Sequence, residues 1–330
     1  MDCTLPFERQ EREVFIRSKS RSDHKFGSDP YDRDIDTLLD YGIININKPN
    51  GPTSHQVSAY AKQILGIKKT GHSGTLDPKV TGVLPVAIGR ATRIVQTLLP
   101  AGKEYVTLMH IHDDAGEKQI RDVIDTFVGK IKQLPPVKSS VKRQWRFRKI
   151  YYIEVNDIDG RDVLFRVGCQ AGTYIRKLCT DIGQTLGTGA HMADLIRTKA
   201  GPFKLDDSFT LHELRDAMAF LREGNETFIR KVIHPIEHAV DHLPKIWVHD
   251  SVIEPLSHGT NLAVPGISAV HSDIQVGEMV AIMSLKGELV AIGSTQMISR
   301  QMVKEEHGIA VTVEKVFMLP GTYPRVRRDL

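Results

Sequence analysis

Apolar residues recur along the chain with two periods, and the alternation between them outlines the elements. Ile43-Ile44-Asn45-Ile46-Asn47 reads as a short strand, which Lys48-Pro49-Asn50-Gly51-Pro52 breaks as a turn. Thr53 and Gln56 form a capping-box pattern, Val57, Tyr60, Ala61, Ile64 and Leu65 follow at helical spacing, and Gly66 stops the helix. Residues 83–88 are an apolar run that reads as a buried strand, with Pro85 pointing to a sheet edge or strand end. Residues 105–112 alternate like a strand, and Ile120, Val123, Ile124, Phe127 and Val128 mark an amphipathic helix ending near Gly129. Residues 150–155 and 163–169 read as two strands joined by a turn. Thr173 is placed to cap a helix with the stripe Ile175, Leu178, Cys179, Ile182 and Leu186. Residues 190–196 read as a short helix, and Leu211, Leu214, Ala217, Met218 and Leu221 mark another. From Ile246 onward the pattern changes to short strands and glycine turns, at 247–248, 261–264, 279–283, 289–292 and 310–317. That spacing fits a small all-β domain of one barrel's length.

Composition narrows the class. A chain of 330 residues, 41% hydrophobic, can bury a large core and is expected to form two domains. A net charge of +4 leans mildly toward an anionic partner. Cys3, Cys169 and Cys179 form no CxxC pair, which argues against a disulfide framework or cysteine zinc site. No apolar run approaches the ~20 residues of a membrane span, so a soluble, cytoplasmic protein is expected. The domain boundaries expected are a charged extension at 1–36, a first domain at 37–243, a second at 244–322 and a tail at 323–330. The extension is either mobile or laid across another surface.

Candidate chemistry centres on Gly71-His72-Ser73-Gly74-Thr75-Leu76-Asp77-Pro78-Lys79-Val80-Thr81-Gly82. Pro78 disfavours helical backbone at Asp77, leaving the acid on a turn or extended segment ahead of a strand. Such a carboxylate is either a catalytic group on a scaffolded loop or an Asx-turn bonding its own backbone. Arg176 stands in the first turn of its helix, where a cation opposes the helix dipole; pairing with a carboxylate would account for it, and so would plain exposure. His110, His112, Asp113 and Asp114 raise a metal reading, but a complete ligand set cannot be assembled. Lys48, in its turn, reads as a solvated residue with phosphate contact open to it. Residues 130–149 are the most basic part of the chain, with Lys138, Lys142, Arg143 and Arg146 around Trp145 and Phe147. Cations neutralise phosphates while aromatics stack on unpaired bases; a solvated basic loop has the same composition.

The Gly71–Gly82 stretch closely resembles the catalytic motif of the TruB family of pseudouridine synthases. Asn47-Lys48-Pro49, Lys103-Glu104-Tyr105, Gly172-Thr173-Tyr174-Ile175-Arg176 and Leu195-Ile196-Arg197-Thr198 match further motifs of that family in order. His258-Gly259-Thr260-Asn261-Leu262-Ala263-Val264-Pro265-Gly266 resembles the PUA domain of the dyskerin branch, and within it the archaeal H/ACA catalytic subunits. The resemblance implies an α+β fold: a mixed, mostly antiparallel sheet with flanking helices, plus a small all-β PUA barrel. It implies RNA-guided isomerisation of uridine to pseudouridine in rRNA, without cofactor or metal. Asp77 would be the nucleophile, Arg176 its ion-pair partner and Tyr105 the residue stacking on the target base. His72 would contact RNA near the flipped nucleotide, Leu195 would wall the uracil pocket, and Lys48 would belong to the substrate site. Lys138, Lys142, Arg143 and Arg146 would hold substrate RNA, and the PUA-like domain, including Gly259 and Gly266, the guide. Implied partners are the H/ACA guide RNA, rRNA and tRNA substrates, two small H/ACA proteins and a kink-turn-binding protein. A guide-free tRNA T-loop synthase and a catalytically silent RNA-binding scaffold are the competing readings.

Overall fold

The computed structural model describes residues 3–135 and 142–324. The chain divides into two compact units: residues 1–9 with 43–233, and residues 10–42 with 234–330. The first is built on a sheet whose strands lie in the order Gly42–Lys48, Thr81–Ile88, Ala190–Ala200, Lys103–Ile111, Asp162–Cys169, Arg146–Asp159 and Gly129–Gln133. All of these neighbours pair antiparallel except Thr81–Ile88 with Ala190–Ala200, which run parallel. The expected mixed, mostly antiparallel sheet is therefore present.

Helices Glu117–Asp125 and Ile175–Leu186 turn their apolar stripes into one cluster with Phe165, Val167 and Ile150 of the sheet, but the first helix ends before Phe127 and Val128, and Val128 is exposed. The Thr53/Gln56 capping box starts helix Ser54–Leu65, and Gly66 ends it in a left-handed conformation. Thr173 does not cap the Ile175–Leu186 helix: Tyr174 is the N-cap, and the Thr173 hydroxyl donates to the Gln170 carbonyl at 2.7 Å.

Residues 190–196 are strand, not helix. Over so short a run helical and strand periods overlap, and pairing decides. Ala190–Ala200 lies between two strands and pairs with Lys103–Ile111 from Ala200 to Ala190. Pro85 is likewise not at a sheet edge. On one side Thr81–Ile88 pairs throughout with Gly42–Lys48; on the other it changes partner, from Thr70–His72 beside Val86–Ile88 to Ile196–Arg197 beside Thr81–Gly82. Pro85 falls between those two partners, where a missing N–H interrupts no ladder.

In the second unit seven strands run in the order Val14–Ile16, Ile267–His271, Lys245–Val248, Met279–Met283, Leu289–Thr295, Ile309–Val316 and Leu262–Ala263. Every strand expected from Ile246 onward is present, accompanied by helices Asp250–Ser257 and Ser299–Lys304. The N-terminal stretch is laid on this sheet, Val14, Phe15 and Ile16 pairing with His271, Val270 and Ala269. Among the described residues no helix is long and apolar enough to cross a membrane.

Candidate active site

The Asp77 loop is fixed from beneath. Lys48, expected to be solvated, is fully buried, and its ammonium donates to the carbonyls of Pro49 (2.9 Å), Pro78 (2.9 Å) and Val80 (2.8 Å). Three acceptors use all three ammonium protons, which is how a buried cation without a carboxylate is held. Lys48 thus braces the loop and is not open to substrate. Ser54, also fully buried, closes a second link: the Leu76 N–H donates to its hydroxyl at 2.8 Å, and the hydroxyl donates to the Leu76 carbonyl at 3.2 Å. The Gly51 N–H adds a bond of 3.0 Å to the Pro78 carbonyl. Leu76 and Val80, on either side of Asp77, are anchored in the apolar cluster.

Asp77 itself projects outward from this frame. Arg176, the second residue of the Ile175–Leu186 helix, donates through Nη2 to the Asp77 carboxylate; both side chains are more than half exposed. The arginine that opposed its helix dipole therefore has a carboxylate partner. Leu195, 8% exposed, and Ile175 belong to the cluster that anchors Leu76 and Val80, and partly buried Tyr105 packs against it. The fold so brings Asp77, Arg176, Tyr105 and Leu195 around one apolar floor. His72 ends the Thr70–His72 strand at the start of the loop, and burial, then the neighbouring His55, holds its imidazole below the ordinary value.

Behind the floor lie charges to which the sequence reading assigned no role. Arg197 is 1% exposed and donates from Nε to the Val83 carbonyl at 2.7 Å. Lys103 donates to the carbonyls of Leu98 (3.0 Å) and Ala101 (2.7 Å), and burial brings its amine down to about 7. Glu104 accepts from the Tyr152 hydroxyl and from Thr198 Oγ1. Their motifs were visible in the sequence; their burial was not. Gly82 has a steric reason: its φ is +103° and a Cβ there would lie 2.2 Å from the Arg197 carbonyl oxygen.

The histidines at 110 and 112 are engaged singly, His110 with Asp162 (2.7 Å) and His112 with His191 (3.0 Å), while Asp114 pairs with Arg161. Among the described residues no group of three His, Cys, Asp or Glu is arranged to hold a metal ion. Burial pushes the Cys169 and Cys179 thiols up to about 12, which removes them as nucleophiles near neutrality.

The basic stretch includes the hairpin of Gly129–Gln133 and Arg146–Asp159. Trp145 and Phe147 are exposed, with the ammonium groups of Lys132 and Lys130 at 4.9 and 4.2 Å from their ring centroids. Lys142 and Arg143 are exposed and Arg146 is partly buried; Lys138 lies outside the described residues. In the second unit Gly259 is exposed, with open space where a Cβ would stand and a φ of +88°. Gly266, expected to contact RNA, is instead buried: a Cβ there would meet Val252 and Leu262 at 3.0 to 3.2 Å.

Comparison with known proteins gives the family. Residues 62–175 match the TruB family pseudouridylate synthase N-terminal domain, 176–241 the tRNA pseudouridylate synthase B C-terminal domain, 244–317 the PUA domain and 2–58 the DKCLD (NUC011) domain. A "Probable tRNA pseudouridine synthase B" of Nanoarchaeum equitans is 53% identical over 98% of this chain and 93% of its own length. The chain belongs to the TruB family of pseudouridine synthases. A protein of the same description from Pyrococcus abyssi is 56% identical over 96% of this chain and 95% of its own. Among solved structures, one described as a "Cbf5-Nop10-Gar1 Complex" matches with a TM-score of 0.94 at 53% identity, covering 98% of this chain and 99% of that one. A "Structure of H/ACA RNP bound to a substrate RNA containing 2'-deoxyuridine" matches at 0.92 and 51%, with 98% and 99% covered. The chain is a pseudouridine synthase of the archaeal dyskerin type, an isomerase.

Proposed function

We propose that this chain isomerises uridine to pseudouridine in rRNA as the catalytic subunit of an H/ACA ribonucleoprotein, with Asp77 as the nucleophile. The observation that carries this reading is the Asp77–Arg176 ion pair, set outward on a loop whose backbone is tied by Lys48 and Ser54. A nearby guanidinium favours the ionised carboxylate that nucleophilic attack requires. The reaction breaks the bond from N1 to C1′, turns the base and joins C5 to C1′; the C5 proton is lost and N1 regains one, so nothing is added or oxidised. The uridine must leave any stack to reach the loop. Tyr105 and Leu195, on the apolar floor, suit the face of an extruded base, and His72 suits the RNA beside it. Likeness to H/ACA complexes supports the guide RNA and two small H/ACA proteins as partners, and a kink-turn-binding protein is proposed beside them. Residues 37–243 would act as the catalytic domain and 244–322 as the guide-holding domain, with Gly259 on an exposed turn of the latter. The exposed charges Lys142 and Arg143, with Trp145, suit unpaired substrate RNA.

A guide-free role on tRNA is the second reading, favoured by the description of the archaeal relatives as tRNA pseudouridine synthases. The test is pseudouridine formation on a uridine RNA with and without a guide and partner proteins, alongside a tRNA. Guide-dependent product that disappears in Asp77→Asn, with RNA affinity retained, is expected. Product on tRNA alone would replace the guided role; full activity of Asp77→Asn would remove the nucleophile. RNA binding without product on either substrate would leave a scaffold.

A further inference from the structure

The central strand Ala190–Ala200 slips in register beside Tyr105. Lys199 lies opposite Glu104 and Arg197 opposite Tyr105, so Thr198 is the extra residue of a bulge. A regular strand sends successive side chains to opposite faces. Here two successive side chains reach one carboxylate: Thr198 Oγ1 donates to Glu104 Oε1 at 2.7 Å, and Lys199 Nζ stands 3.7 Å from Glu104 Oε2. Lys199 also pairs with Glu8, at 2.9 Å. The Tyr152 hydroxyl donates to Glu104 as well. Its ring crosses Gly168, which pairs with Glu104 and where a Cβ would lie 2.2 Å from Tyr152 Cε1. One acid, 2% exposed, thus ties its own strand to the bulged one and to Arg146–Asp159.

The bulge decides which face Leu195 occupies. Were the strand regular from Lys199 back, Leu195 would share the face of Glu104, because a slip of one residue turns every side chain over. With Thr198 as the extra residue, Leu195 stands opposite Thr107 and joins the apolar cluster against which Tyr105 packs. A buried charge bonded to its neighbours is a weak source of stability, and fixing a register is its best-attested use. Glu104 stands where that use matters, next to Tyr105 in sequence and across from the bulge.

We propose that Glu104 is a positioning residue: its carboxylate clamps the bulge at Thr198 and so holds Leu195 on the Tyr105 face, as the wall of the pocket for an extruded base. The inference rests on the reading of the site given under the proposed function. Glu104 is bonded on the opposite face of the sheet from Tyr105 and acts through Thr198, not on the substrate.

The test uses the full-length chain with methyl-labelled leucine, the Leu195 signals being assigned with Leu195→Ile. Thr198→Val keeps the shape and removes the hydroxyl, whereas Thr198→Ser keeps the hydroxyl. The Leu195 methyl signals should move in Thr198→Val and stay near their wild-type positions in Thr198→Ser. In the guide-loaded particle, the single-turnover rate of Thr198→Val at saturating substrate should fall by about 10- to 100-fold with RNA affinity within about twofold, as for a group displaced by up to about 1 Å. Thr198→Ser should keep most of the wild-type rate. Unmoved Leu195 signals overturn the proposal, and so does affinity falling in step with rate. A lower urea midpoint with the wild-type rate would make the bond structural only and overturn it too. Should Thr198→Val not fold, Glu104→Gln weakens the same bond from its other end, and unmoved Leu195 signals there refute the clamp. The methyl signals are read on the free protein. Absence of pseudouridine formation by the wild type would therefore sink the proposed function while the clamp is still decided.

Discussion

The interior behind the Asp77 loop and the interior of the C-terminal unit handle buried charge in opposite ways. In the first, Lys48, Lys103 and Arg197 are cations held chiefly by backbone carbonyls. In the second, Glu237, Glu254 and Glu288 are acids held by N–H groups, hydroxyls, an arginine and a histidine. Glu237 takes Arg33 through both oxygens at 2.8 Å and accepts the Leu289 N–H at 2.9 Å. Glu288 accepts from the Ser28 N–H at 3.1 Å and the Tyr323 hydroxyl at 2.5 Å. Glu254 accepts from the Gly321 N–H at 2.8 Å, and that bond, followed by His258, holds its carboxyl below the ordinary range. The acids hold the N-terminal stretch and the last described turn onto the sheet. Lys48 holds the Asp77 loop, Lys103 and Arg197 hold the carbonyls of Leu98, Ala101 and Val83, and among the described residues no carboxylate stands at ion-pair distance from any of the three. Charge that fastens chain segments can cancel locally; charge next to a working carboxylate and an anionic substrate is more useful left positive. Glu104, buried in the first unit, lies on the far partner of this set, bonded to Tyr152 and Thr198.

Breaking the comparison at Lys48 should have the largest effect. Lys48→Met leaves three buried carbonyls without their donor, for a loss of about 3 kcal/mol in urea unfolding. The loosened loop should lower the single-turnover rate by about 100-fold, since a misplacement near 1 Å suffices for that. A variant as stable and fast as the wild type would return Lys48 to the solvated role first expected of it.

Glu237→Gln tests the other side. Losing the two charged bonds to Arg33 should cost about 2 kcal/mol. Hydrogen exchange should rise within residues 10–42, and amides of residues 43–233 should keep their protection. Equal loss in both units would mean that the acids do not serve the N-terminal stretch in particular.

Lys103 sharpens the contrast through pH. Its folded value of about 7 lies below the 10.5 of an ordinary lysine, so between the two the unfolded chain holds a proton that the folded chain lacks. Stability from this group is therefore greatest above 10.5 and declines as pH falls to 7, where the decline ends. Its two carbonyl partners are what a neutral amine can satisfy, whereas the three at Lys48 call for the ammonium. Lys103→Met should flatten the rise in stability from pH 7 to 10 relative to wild type, with a smaller loss at pH 9 than Lys48→Met. An unchanged slope would show that Lys103 stays charged.

Much of this was legible in the sequence because it rests on local rules. The Thr53 box, the Ile175–Leu186 stripe and the strands after Ile246 each need only a few neighbouring residues. The Asp77–Arg176 pair was legible in a weaker sense: an arginine in a first helical turn asks for an acid, and the motif residues supplied one. What escaped depends on distant chain. Residues 190–196 are strand because Lys103–Ile111 lies beside them, and Pro85 is tolerated because two partners meet there. Lys48 looked solvated because nothing local tells that Pro78 and Val80 will close over it. Gly266 looked like a surface glycine of a binding loop, and only the packing of Val252 and Leu262 explains it.

The smallest effect on the fold should come from the exposed cations, which share neither pattern. Lys142 and Arg143 are solvent-facing, and among the described residues Arg146 donates to the Lys142 carbonyl, at 3.3 Å. Replacing all three with alanine should leave urea unfolding unchanged within about 0.5 kcal/mol, as for surface changes generally. Binding of a single-stranded substrate RNA should weaken, and the slope of log affinity against log salt should become shallower by about 2, the release expected for three phosphate contacts. An unchanged slope would make this hairpin a solvated surface and shift the RNA contact elsewhere. A shallower slope with an unchanged single-turnover rate at saturating RNA would divide the two kinds of cation cleanly. The exposed ones would bring the anion in, and the buried Lys48 would hold the loop that meets it.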